Sequence, residues 1–299
     1  MKFFLLTAVL LWPAVASATI DQPSEIPAST SAQSDLGSRR SVLMTQWNAL
    51  QQKISAHNAK CGHIPEDSPM VEECSNNQAA LSAELQAYND AVTEFDHEIA
   101  FVRGLDDTHR GVPLNASRTN DEAHRSAFNY AKVIDQFQVE KSARYRPEKK
   151  TYCNIFVWDV TRAMGAEIPH YVFKSGKTGD SAVDESGDFK AGSDEREELN
   201  VNATVDWLKE HGPGHGWRRV DARGAQEMAS GGHPAVAIWA NPDREKSGHI
   251  AMIRPGSSPV GARGAAIAQA GRLVLDAAHL DASFRKPTVR KSVQYWYHE

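Results

Sequence analysis

The stretch Thr151-Tyr152-Cys153-Asn154-Ile155-Phe156-Val157-Trp158-Asp159-Val160 decides how the rear of this 299-residue chain is read. Its apolar positions Phe156, Val157, Val160, Ala163 and Met164 recur at helical spacing, with Gly165 as the stop. The pattern predicts a helix from Cys153 to Met164 that buries one face, turns Asp159 and Arg162 outward and takes Thr151 as its N-cap. Cys153 then stands in the first turn, where unpaired N–H groups and the helix dipole favour an anion. An isolated helical cysteine is ordinarily an inert core residue. The polar run Arg144-Tyr145-Arg146-Pro147-Glu148-Lys149-Lys150 just before it argues against deep burial and for a reactive thiol.

The second informative stretch, Gly248-His249-Ile250-Ala251-Met252-Ile253, starts a strand on a histidine 96 residues after the cysteine. A helix-start thiol and an imidazole on a later strand are the two parts that nucleophilic cysteine chemistry needs. Strand signals at Pro234–Trp239 and Ala265–Ala270 flank it, the first joined by the turn formers 241–248. If 249–253 and 265–269 pair antiparallel in equal register, His249 lies opposite Gln269, whose amide can orient the ring. A slip of one residue turns Gln269 away, and it is equally readable as an ordinary sheet amide.

Around these two stretches the rear half reads as α+β. Helices are expected at Ala123–Lys141, Ala203–His211 and Ala225–Ser230, and further strands at Gly216–Val220 and Val293–Tyr297. Residues 174–198, rich in Gly, Ser and acids, read as a long surface loop or lid.

The front half has a different pattern. Met1-Lys2, the apolar run Phe3–Trp12 and Ala16-Ser17-Ala18 have the form of a signal peptide over residues 1–18, too short to span a bilayer. The expectation is a secreted or periplasmic protein. Residues 19–35 read as a flexible lead. Leu36, Leu43, Trp47, Leu50 and Ile54 then keep a seven-residue beat, and Leu81, Leu85, Tyr88, Val92, Phe95, Ile99 and Val102 step by four and three. Two helices burying these stripes on each other make an antiparallel hairpin over 36–104. A polar stretch, 105–122, is read as the linker to a rear domain at 123–299. Cys61 and Cys74 flank the hairpin turn, where a disulfide would close a loop of about 14 residues and contribute about 3 kcal/mol. Cys153 is left over, as a free reactive thiol or an intermolecular link.

Charge excludes some partners. Residues 19–112 carry 6 basic and 14 acidic side chains, and residues 113–299 carry 26 and 24. Neither half has a basic stripe, which speaks against nucleic acid and anionic membrane surfaces. His211-Gly212-Pro213-Gly214-His215 lacks the spacing of a zinc motif, so no metal or other cofactor is expected. His170 reads as a groove residue, as do Tyr145 and Tyr152, while Trp158 reads as core.

The Cys153 helix followed by Gly248-His249-Ile250-Ala251 resembles the CHAP family of cysteine- and histidine-dependent amidohydrolases/peptidases and its NlpC-type relatives, over residues 123–299. The resemblance implies a papain-like α+β core that cuts amide bonds of bacterial peptidoglycan, with the wall's peptide stem as substrate. It implies Cys153 as nucleophile, His249 as general base and Gln269 as the third polar residue. The acidic hairpin is then a targeting, dimerising or inhibitory appendage, open to a protein partner. Two other classes stay open: a cysteine peptidase or antibacterial effector toxin, and a non-catalytic binding module that retains the fold.

Overall fold

The computed structural model describes residues 20–26, 33–65, 67–116, 118–120, 122, 125–174, 178–256 and 260–299. The signal-peptide reading lies outside the described residues. Contacts divide the chain into two compact units, Met1–Val102 and Arg103–Glu299. No described helix is long and apolar enough to cross a membrane.

The first unit is built on helices α1 (Gln33–Cys61) and α2 (Val71–Asp106). The ion pairs Arg39–Glu98, Lys53–Glu84 and Lys60–Glu73 climb one helix as they descend the other, which makes the hairpin antiparallel. The four-three stripe of α2 is buried from Leu81 to Val102, and Leu36, Leu43 and Leu50 face it from α1. Cys61 and Cys74 are disulfide-bonded at the tip, their Cα atoms 5.8 Å apart, beside Ile64 and Met70. Residues 20–26, expected as part of a flexible lead, run extended along the hairpin instead. The Asp21 and Ser24 N–H groups donate to Asn89 Oδ1 (3.2 Å) and Asp96 Oδ1 (2.8 Å), and Tyr88 donates its hydroxyl to the Asp21 carbonyl (2.9 Å). Polar side chains on the helix surface hold what hydrophobicity would have left loose.

The second unit is α+β. In chain order it holds α3 (Ala127–Gln136), α4 (Cys153–Ala163), β1 (Tyr171–Phe173), β2 (Arg196–Glu198), α5 (Val201–Glu210), β3 (Trp217–Val220), α6 (Ala222–Ser230), β4 (Ala235–Trp239), β5 (His249–Ile253), β6 (Ala266–Ala270), β7 (Val274–His279), α7 (Leu280–Ser283), α8 (Pro287–Arg290) and β8 (Gln294–His298). Six strands pair antiparallel in the order β3-β8-β4-β5-β6-β7, and β1 pairs with β2 apart from them. The expected lid 174–198 thus ends in a strand. The N-terminus of α3 falls at Ala127, because the Ser126 hydroxyl caps it by accepting from the Asn129 N–H.

Helix α4 packs on β5 and β6 and is buried on nearly every side. This corrects three expectations. Thr151 does not cap it: Tyr152 is the N-cap residue, with no side-chain cap bond. Cys153 is buried, not exposed. Asp159 points inward at 0 % exposure. A buried carboxylate needs donors, and it has four: Arg144 Nε to Oδ2 at 2.8 Å, Arg144 Nη2 to Oδ1 at 3.2 Å, the Tyr145 hydroxyl to Oδ2 at 2.7 Å and the Leu114 N–H to Oδ1 at 3.0 Å. Tyr145 is therefore no groove residue. It is fully buried, set edge-on to Phe156 at 5.3 Å, with its phenol held well above the usual range by burial and by the Asp159 charge.

Arg144 also gathers the carbonyls of His109 (3.1 Å) and Val112 (2.6 Å), and the Asn120 side chain donates to the Gly232 carbonyl (2.6 Å). The stretch expected as a free linker is thus part of the second unit, its polar groups satisfied from across the chain.

Removing Arg144 takes away the cation and two of the four hydrogen bonds of the buried Asp159 carboxylate, and its bonds to the His109 and Val112 carbonyls. Arg144→Ala is expected to cost about 3–5 kcal/mol, read as a lowered urea midpoint of the full chain. A change below about 1 kcal/mol would show that the pair contributes no more than an exposed one.

Candidate active site

The entrance of α4 is tied to the sheet by one backbone bond, from the Tyr152 N–H to the Ala270 carbonyl at 3.1 Å. This brings Cys153 beside His249, the first residue of β5. Gly248 is required there, since a Cβ would lie 2.3 Å from the Trp239 carbonyl oxygen and 2.9 Å from Asn202 Oδ1. Asn202, buried on α5, accepts from the Asn241 N–H (2.8 Å) and donates to the Lys246 carbonyl (2.9 Å), pinning both ends of the loop that delivers the histidine.

The β5–β6 register differs from the expected one by two residues: Met252 faces Ala268 and Ile253 faces Ile267. Continued, it sets Gly271 across from His249 and puts Gln269 on the diagonal. A shift of two keeps every side chain on its face, and the His249 Nε2–Gln269 Oε1 hydrogen bond forms. Gly271 makes the diagonal reach possible: a Cβ there would stand 2.9 Å from His249 Cε1 and 3.1 Å from Gln269 Oε1.

The network beyond the amide fixes the ring's tautomer. Gln269 Nε2 donates to the Leu273 carbonyl at 3.0 Å, and Gln269 Oε1 also accepts from the Ser283 hydroxyl at 2.5 Å. His249 Nε2 is then the donor to Oε1, and Nδ1 is left to the sulfur. Phe284 closes over the imidazole, ring centroids 5.1 Å apart. The sequence reading missed Ser283 and Phe284, which sit at a four-residue helix too short for a periodic signal.

Electrostatics couple Cys153 and His249. Burial by itself would push the Cys153 thiol up. The His249 charge, its hydrogen bond, and the Ile250 and Asn154 N–H groups outweigh burial and hold the thiol below its ordinary value. Burial would likewise depress His249, but the Cys153 thiolate and the bonds to Cys153 and Gln269 raise it. The proton is drawn from sulfur to nitrogen, which favours a thiolate–imidazolium pair.

Cys153 and His249 line an open groove of about 1130 Å³, entirely within the second unit. Tyr152 forms part of its wall, with the Arg110 guanidinium 3.6 Å over its ring. His170 also lines it but is itself buried, between Trp158 (5.2 Å) and Tyr171 (4.5 Å). Asn154 Nδ2 donates to His170 Nδ1 at 3.3 Å, so His170 braces the residue next to the thiol. Its Nε2 lies 3.3 Å from Glu198, and that hydrogen bond, helped by the charges of His170 and Lys150, holds the Glu198 carboxyl below its usual range. Among the described residues, no three His, Cys, Asp or Glu side chains gather to hold a metal ion.

No protein-family model matches the chain, and no curated protein or solved structure is significantly similar to it. The functional reading therefore rests on the site itself.

Two outcomes follow. In His249→Ala, burial of the thiol is no longer opposed by a cation. The pH midpoint for carboxamidomethylation of Cys153 should move from below the ordinary thiol value to above it; an unchanged midpoint would mean the imidazole does not hold the thiolate. Gly271→Ala should slow the same reaction about tenfold or more by displacing the ring, while the thermal midpoint moves by only a few degrees. Wild-type reactivity there would show that His249 tolerates the intrusion.

Proposed function

We propose that this protein is an exported thiol hydrolase of papain-like design that cleaves amide bonds of bacterial peptidoglycan. The observation that carries the reading is the line Cys153–His249–Gln269, with its tautomer fixed and its first two members lining an open groove. The resemblance of the Cys153 helix and the Gly-His-Ile-Ala strand to the CHAP and NlpC-type families supports the choice of substrate. The leader-like start and the Cys61–Cys74 disulfide support an oxidising, exported setting.

In this mechanism the Cys153 thiolate attacks the amide carbon, and negative charge moves to the carbonyl oxygen. First-turn N–H groups of α4, to which the N-cap residue Tyr152 makes no side-chain bond, are suited to receive that charge. As the C–N bond breaks, His249 Nδ1 gives its proton to the leaving amine. The neutral imidazole then takes a proton from water, whose oxygen displaces the sulfur from the acyl group. Gln269 serves both halves, because an amide oxygen accepts from the ring in either protonation state.

The assay is mass spectrometry of fragments released from purified peptidoglycan. Cys153→Ala should reduce release on the order of 10⁴-fold or more, and His249→Ala comparably, since members of one catalytic unit do not act additively. Gln269→Ala should cost less, and a chelator should leave the rate unchanged. Full activity in Cys153→Ala overturns the thiol mechanism. No release from any wall preparation moves the reading to a protein-directed peptidase or a binding module.

A further inference from the structure

We infer that the groove selects substrates bearing carboxylates, so that the bond cut belongs to an anionic peptide. This deepens the thiol-hydrolase reading and rests on it. Five basic side chains line the groove, Arg110, Lys149, Lys150, Lys246 and Arg272, against the acidic Glu148 and Glu198. The unit Arg103–Glu299 holds 28 basic and 26 acidic residues in all. Without the groove it has 23 and 24, a net of −1, while the groove itself is +3. The unit's net positive charge is therefore confined to the groove lining, and the rest of the unit is close to neutral.

Part of that charge is already engaged. Arg110 lies 3.6 Å from Glu148, and Lys246 Nζ lies 2.7 Å from Asp243. Glu198, for its part, is occupied by His170. Lys149, Lys150 and Arg272 remain exposed, and among the described residues none of them lies within 4.0 Å of a carboxylate. The lysines lie on the segment running into α4, and Arg272 follows Gln269 and Gly271 on the segment whose Ala270 carbonyl accepts from the Tyr152 N–H. A cleft lined by one sign of charge concentrates ligands of the other, and a guanidinium matches a carboxylate with two parallel N–H bonds. Each unit charge about 8 Å away in a water-like dielectric changes association about two- to threefold. Three cations acting together thus discriminate by on the order of tenfold.

The test uses two alkylating agents of similar size, anionic iodoacetate and neutral iodoacetamide, which react at the same sulfur. The ratio of their rates in the wild-type chain should exceed that in Lys149→Glu/Lys150→Glu/Arg272→Glu on the order of a hundredfold at low salt, because each reversal changes the charge by two units. It should also fall as sodium chloride is raised. The Cys153–His249 pair is common to both proteins, so its own attraction for iodoacetate cancels. The matching Gln set should give an intermediate ratio and covers the case in which reversed charges disturb folding. A ratio unmoved by either set overturns the inference and leaves the thiol hydrolase standing. In a second arm, wall stem peptides with free carboxylates should be cut with higher kcat/KM than their amidated forms, and the preference should vanish in the Gln set. Equal or inverted preference also overturns it. If the wild-type protein cuts no peptide of either kind, the hydrolase reading fails, while the alkylation ratio still decides the charge selectivity.

Discussion

A single buried carboxylate organises the second unit. Asp159 sits midway along α4 with no exposure to water, and an uncompensated charge there would cost several kcal/mol. Its partners come from three places in the chain: the turn at 144–145, the loop at Leu114, and, through the rest of the Arg144 guanidinium, the carbonyls of His109 and Val112. Satisfying Asp159 therefore wraps residues 109–114 and 144–145 around the helix that holds Cys153. Arg110, whose Nε donates to the Arg144 carbonyl at 2.6 Å, becomes a wall of the groove as a result. The groove's shape follows from an interaction on the far side of the helix.

Gln269 plays the corresponding part for the histidine. A carboxylate in its place would stabilise the imidazolium by charge and hold the proton more tightly, whereas an amide orients the ring without neutralising it. Its nitrogen is committed to Leu273, and its oxygen accepts from both Ser283 and His249. The histidine is thus aimed by geometry, and the shift in its proton affinity comes mostly from the sulfur it faces.

What could be read from the sequence was local or periodic. The hairpin seam, the disulfide pairing, the Cys153 helix and the strand opening on His249 each carry their signal within a few turns or residues. The face of Gln269 was also legible despite the wrong register, because alternation along a strand survives an error of two. What was not legible depends on distant partners. Asp159 read as solvent-facing because nothing nearby in sequence announces Arg144. Tyr145 sits in a run of charges and read as groove, although its ring is core and its hydroxyl serves Asp159. Strand β7 is half-exposed at the sheet edge, without the alternating pattern that marks a strand. Residues 20–26 and 105–122 read as loose because their composition is polar, and composition does not tell whether polar groups are satisfied by water or by protein.

In the exported setting proposed above, the disulfide at the hairpin tip bears on how Cys153 stays unpaired. Three cysteines entering an oxidising space can pair in three ways, and two of them would consume Cys153. Cys61 and Cys74 are 13 residues apart, whereas Cys153 lies 79 residues beyond the nearer of them. Loop-closure entropy favours the short pairing by about 1.6 kcal/mol, a factor of roughly 15. The hairpin also emerges first during synthesis, before Cys153 has left the ribosome. Order along the chain thus acts as a chaperone for Cys153: the first two thiols to meet remove each other from competition, and the third folds into its helix with no partner left to capture it.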